Sequence, residues 1–90
     1  MRRVKLTVYG DVQGVFYRSE TQNRAECLGL TGYVRNTKDG AVEVVAEGND
    51  NLIEKLIEFC RLGSRAAKVK DVKVEEQEYK GEFTEFEIRY

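Results

Sequence analysis

Val4, Leu6 and Val8 alternate with Lys5, Thr7 and Tyr9, the period-two pattern of a strand with one buried row. Gly10 to Gly14 interrupts the alternation and reads as a loop. From Phe16 to Leu28 the period lengthens. Thr21, Ala25 and Leu28 are spaced by four and three, which predicts a helix whose small residues let it lie close to a sheet. Gly29 is placed to end it. Gly32–Thr37 and Ala41–Glu47 are predicted strands, and the Asp39-Gly40 pair between them signals a hairpin. Asn49 or Asp50 can cap a second helix with the apolar stripe Leu52, Ile53, Leu56, Ile57 and Phe59 or Cys60, ended by Gly63. Val69, Val72 and Val74 mark a fourth strand with a shift of phase near Asp71, and Phe83–Tyr90 reads as a fifth.

The predicted order is strand, helix, strand, strand, helix, strand, strand. That is an α+β, ferredoxin-like split βαβ sandwich with an added C-terminal strand, expected to be a single domain over residues 1–90. Each strand has one apolar row to cover, so both helices are expected on one face of a mainly antiparallel sheet. The fold hosts RNA binders, metal carriers, regulators and enzymes, so it does not choose among functions.

Composition narrows the choice. Fifteen basic residues stand against sixteen acidic ones, a balance that argues against a general nucleic-acid binder while leaving room for a local positive pocket. No apolar run approaches the roughly 18 residues of a membrane span, and the basic start is not followed by a signal-peptide core, so a cytoplasmic location is expected. The chain has no histidine, and its two cysteines, Cys27 and Cys60, lack metal-ligand spacing, so the usual ligands for a zinc or haem site are missing. Both cysteines read as small, half-buried helix residues. Their helices should run antiparallel, which separates the thiols too far for a disulfide.

In this topology the end of the first strand, the start of the first helix and the end of the second strand meet at one edge. Gly10–Val15, Phe16–Arg18 and Arg35-Asn36-Thr37 are therefore brought together. Asn36 shares parity with Val34, so it should face the helices at the rim, whereas Arg35 should face away in a surface or ion-pair role. The segment from Gly10 to Arg18 has the make-up of an anion cradle. Glycines allow successive N–H groups to turn toward one ligand, a helix start leaves N–H groups unpaired, and Arg18 adds a planar fork for two oxygens. An arginine in a first turn opposes the helix dipole, which a bound phosphate would compensate. The same residues also fit an ordinary strand-to-helix turn with a surface arginine. Asp11 reads as a loop or surface residue, and Tyr9 and Tyr33 as cover on the open sheet face.

Gly10-Asp-Val-Gln-Gly-Val-Phe-Tyr-Arg18, Leu28-Gly-Leu-Thr-Gly-Tyr-Val-Arg-Asn36 and Asp39-Gly-Ala-Val-Glu43, with Phe86-Glu-Ile-Arg-Tyr90 at the C-terminus, resemble the acylphosphatase family over nearly the whole chain. The resemblance implies an enzyme that hydrolyses carboxyl–phosphate mixed anhydrides to carboxylate and inorganic phosphate, without metal, cofactor or phosphoenzyme. It implies that Arg18 holds the phosphoryl group with the backbone amides of Gln13, Gly14, Val15, Phe16, Tyr17 and Arg18. Asn36 would position the attacking water, with Thr37 as a supporting polar contact. The turn Gly63-Ser-Arg-Ala-Ala67 departs from the family pattern, which often carries glycine and proline there, but lies away from the expected site.

The residue chemistry is compatible with that implication. A carboxylate leaving group, with a conjugate-acid pKa of roughly 4–5, departs without a general acid. The loop holds no cysteine or serine nucleophile. Two other readings remain. RNA recognition through the third strand is disfavoured because Ala41–Glu47 is acidic and has no aromatic. A related domain used for protein contact, or within a larger carbamoyl-phosphate-handling protein, is the stronger rival. The expected partner is a small acyl phosphate or phosphate anion, with no nucleic acid and no membrane, bound by a monomer.

Overall fold

The structure, a computed structural model, describes residues 1–63 and 66–90. Its elements follow the predicted order: β1 (Arg2–Asp11), α1 (Tyr17–Cys27), β2 (Thr31–Asn36), β3 (Val42–Gly48), α2 (Asp50–Leu62), β4 (Lys68–Gln77) and β5 (Phe86–Arg89). The sheet order is β4-β1-β3-β2-β5; every neighbouring pair is antiparallel except β2 and β5. α1 packs on β2 and β5, and α2 on β1, β3 and β4.

The apolar rows meet in one core. Val4, Leu6 and Val8 of β1, Val34 of β2 and Val42, Val44 and Ala46 of β3 are fully buried against Tyr17 and Ala25 of α1 and Ile53, Leu56 and Cys60 of α2. α2 starts as its sequence predicts: Asn49 caps it, its side chain accepting from the Asn51 N–H at 3.0 Å. α1 ends through the Leu30 N–H donating to the Ala25 carbonyl at 2.9 Å and the Gly29 N–H to that of Glu26 at 3.0 Å.

β1 runs further than its alternation predicts. Tyr9 pairs with Asp71 and Gly10 with Val69, so Lys70 is an extra residue in β4; this bulge is the phase shift read near Asp71. Gly10 and Asp11 consequently belong to the strand, and the loop shortens to Val12–Phe16. Gly10 has φ 132°, and a Cβ there would lie 2.1 Å from the Lys68 carbonyl oxygen, so no side chain fits beside the bulge. α1 begins one residue later and ends one earlier than its periodicity predicts.

Three further expectations are corrected. β5 holds four residues rather than eight, because the segment before Glu85 lies against the sheet face opposite the helices, and only the Glu85 carbonyl, accepting from the Gly32 N–H at 3.0 Å, joins the ladder ahead of Phe86. There the Lys80 and Gly81 N–H groups donate to one oxygen of buried Glu47, at 2.9 and 3.3 Å, and Arg3 pairs with the same oxygen at 3.2 Å. That face is thus partly covered, and Tyr33 is no free cover residue. Its hydroxyl donates to Glu43 at 2.8 Å, and its ring meets Phe83 edge-on and carries the Arg89 guanidinium at 4.1 Å. Cys27 is exposed rather than half-buried, since it lies beyond the helix stripe; Cys60 is fully buried, and both thiols are free. Ser64 and Arg65, in the turn singled out after Gly63, lie outside the described residues. No helix is long and apolar enough to cross a membrane, among the described residues.

Candidate phosphate site

The loop between β1 and α1 is anchored at both ends. Val12 is buried in the core, and the Gln13 side-chain amide donates to the carbonyls of Thr37 and Ala41, at 2.9 and 2.8 Å. These two bonds fasten the loop to the β2–β3 hairpin. Tyr17 fixes the other end: its ring is buried and its hydroxyl donates to the Cys60 carbonyl at 2.9 Å, tying the start of α1 to the end of α2.

Between the anchors the backbone alternates in handedness. Gly14 has φ 75° and Phe16 φ 63°, while Val15 between them and Tyr17 after them lie at negative φ. Alternation of this kind turns consecutive N–H groups to one side and forms an anion-binding concavity. α1 then opens from Phe16 without any side-chain cap, which leaves its first N–H groups free to face the same concavity. The loop geometry and the helix start therefore present one continuous set of donors.

Arg18 stands beside them, half-buried. Its Nη1 donates to the Arg89 carbonyl at 3.4 Å, and its guanidinium lies 4.8 Å from the centre of the Tyr90 ring. A single long hydrogen bond leaves most of the guanidinium fork available. The open pocket here has a volume of about 220 Å³. Gly14, Phe16, Tyr17, Arg18 and Ser19 form one wall, and Ile88 and Tyr90 another.

Of the residues expected at the site, Gly14, Phe16, Tyr17 and Arg18 line this pocket. Gln13 and Val15 border a separate concavity on the other side of the loop. Asn36 lines neither, but it follows Val34 on the helix-facing row and adjoins the hairpin that Gln13 fastens to the loop. Its Oδ1 is buried and has no hydrogen-bond partner among the described residues. Thr37 is committed to the hairpin: its hydroxyl accepts from the Ala41 N–H at 3.1 Å and contacts Asp39. Arg35 points away from the helices, as its parity predicts, and pairs with Glu43 at 2.8 Å.

Sequence reasoning missed the wall formed by β5. Its signal lay in topology: an edge strand parallel to β2 must finish at the edge where β2 finishes, beside the loop. Gly32 pairs with Phe86 and Val34 with Ile88, which carries Arg89 and Tyr90 to Arg18.

Two buried groups behind the loop have shifted pKa values. Burial pushes the Cys60 thiol up to about 12, and burial likewise raises the Tyr17 phenol, aided by the neighbouring Cys60 thiol. On the far face burial pushes the Glu43 carboxyl up, but hydrogen bonds from Arg35 and Tyr33 outweigh it and leave the group below its ordinary value. Among the described residues no three histidine, cysteine or acidic side chains cluster as a metal site.

Comparison with known proteins agrees with the motif reading. The family model described as acylphosphatase matches residues 4–88. A curated acylphosphatase of Pelotomaculum thermopropionicum is 49% identical over 88 residues, covering 98% of this chain and 96% of its own. One from Aeropyrum pernix is 48% identical over 89 residues, covering 98% and 88%. The crystal structure of acylphosphatase from Bacillus subtilis superposes with a TM-score of 0.96 at 37% identity, covering all of both chains. With the family model spanning nearly its full length and relatives close to half identical over almost all of it, this chain belongs to the acylphosphatase family.

Proposed function

We propose that the chain hydrolyses acyl phosphates at the edge where the Val12–Phe16 loop, the end of β2 and the end of β5 meet, with Arg18 from the loop–β5 pocket and Asn36 from the adjoining end of β2 as catalytic residues. The phosphoryl oxygens bind the backbone N–H groups from Gln13 to Arg18 and the Arg18 guanidinium. These donors neutralise charge that spreads over the equatorial oxygens in a loose transition state. The Asn36 amide orients a water in line with the scissile P–O bond. As the water oxygen bonds to phosphorus, the bond to the carboxylate oxygen breaks and the acid anion leaves unprotonated, because carboxylic acids have a pKa of roughly 4–5. The water's proton passes to a phosphoryl oxygen, so no enzyme base is required.

The observation that carries this reading is the loop itself: positive φ at Gly14 and Phe16, a helix start without a side-chain cap and the largely free Arg18 fork meet at one pocket. Asn36 is half-buried on the helix-facing row at the end of β2, where its amide is the polar group that the strand brings to the edge of the loop. Thr37 supports the site indirectly, by holding the hairpin to which Gln13 is bonded. The near balance of basic and acidic residues favours a small anionic substrate over nucleic acid. Two free thiols suit a reducing compartment, the cytoplasm, where the chain acts as a monomer.

Release of phosphate from benzoyl phosphate, with EDTA present, tests the reading. Turnover by the native chain is expected, together with loss of both turnover and phosphate inhibition in Arg18→Ala. A folded native chain that binds phosphate and releases none from the substrate would contradict it.

A further inference from the structure

Phe16 is the sole non-glycine residue at positive φ among the described residues. A bulky side chain is strained in that region, where glycine is free of penalty. Phe16 is also 80% exposed, so its ring gains almost nothing from burial in the folded chain. Folding therefore accounts for neither the residue type nor its position.

Phe16 belongs to the wall of the Arg18 pocket, with Ile88 and the exposed Tyr90 on the β5 side. The other large exposed apolar side chains, Met1, Tyr9, Leu62 and Tyr79, are not at this pocket. The Tyr90 ring already carries the Arg18 guanidinium, which leaves Phe16 as the unoccupied aromatic surface. A phosphoryl group seated on the loop N–H groups must extend its acyl group outward past this rim. Resting on the proposed hydrolysis at this pocket, we infer that Phe16 is a specificity-determining residue that reads the acyl group. Its ring, with Ile88 and Tyr90, ranks planar apolar acyl phosphates above acetyl phosphate.

The test is the ratio of kcat/KM for benzoyl phosphate to that for acetyl phosphate, in the native chain, Phe16→Gly and Phe16→Tyr. Intrinsic leaving-group reactivity is the same for every variant, so it cancels when the ratios are compared. The ratio should fall about 5-fold or more in Phe16→Gly and stay near the native value in Phe16→Tyr, as expected for loss of an aromatic contact. Phe16→Ser replaces the glycine variant if the latter turns over neither substrate. A ratio within twofold of native in the ring-less variant overturns the inference and leaves the hydrolytic reading standing. Absence of turnover of either substrate by the native chain overturns both.

Discussion

Arg18 and Asn36 differ in what the fold has done with them. Arg18 keeps its fork largely free beside the loop, whereas Asn36 is held with a buried oxygen unpaired. The shape of the guanidinium matters as much as its charge, so Arg18→Lys should lose about 100-fold in kcat/KM while the fold melts as before; steady-state kinetics with thermal melting checks this. Gly10 is constrained by space instead. Gly10→Ala drives a Cβ into the Lys68 carbonyl and should cost roughly 3 kcal/mol, read by urea denaturation. The placement of both was legible in the chain, Arg18 in a first turn after glycines and Asn36 on the helix-facing row by parity with Val34. The positive φ of Phe16 was not, because no propensity rule places a bulky aromatic there.

The loop and the hairpin act as one unit because Gln13 joins them. Gln13→Leu removes two hydrogen bonds to carbonyls that keep other backbone donors, so the loss in stability should be about 1–2 kcal/mol. Inhibition by inorganic phosphate should weaken as well, since the concavity loses its anchor; unchanged inhibition would mean that the loop holds its shape alone. The helices, the hairpin and the β4 bulge were legible because periodicity and Asp-Gly turns are local signals. The covered far face was not. Glu43 and Glu47 alternate with valines and alanine as a solvent-facing row should, and the aperiodic segment 78–85 carries no sign that it crosses over them. Phe83 joins the Tyr33 and Arg89 stack there, which also explains why the strand predicted from residue 83 starts at Phe86.

Acid stability depends on charges spread across the fold. Hydrogen bonds from Arg2, Arg3 and Thr37 lower the pKa of Glu76, Glu82 and Asp39, and Glu43 is lowered by Arg35 and Tyr33 against the effect of burial. A carboxyl whose folded pKa is depressed contributes stability above its unfolded value, roughly 4 to 4.5, that disappears as pH falls through the folded value. Melting temperature should therefore be flat between pH 6 and 8 and drop below about pH 4. Salt should reduce the contribution of exposed Glu82 and Asp39 more than that of buried Glu43. Activity should show no ionisation near neutrality, since the chain has no histidine and the buried Cys60 and Tyr17 are raised out of range.

The division of labour at the site is tested most directly by Asn36→Ala, measuring kcat on benzoyl phosphate together with the inhibition constant of inorganic phosphate. A group that orients water without holding the phosphoryl should lose about 100- to 1,000-fold in kcat and leave phosphate inhibition near native. A variant that keeps kcat within tenfold, or that loses phosphate binding in step with turnover, would contradict the assignment of the water to Asn36.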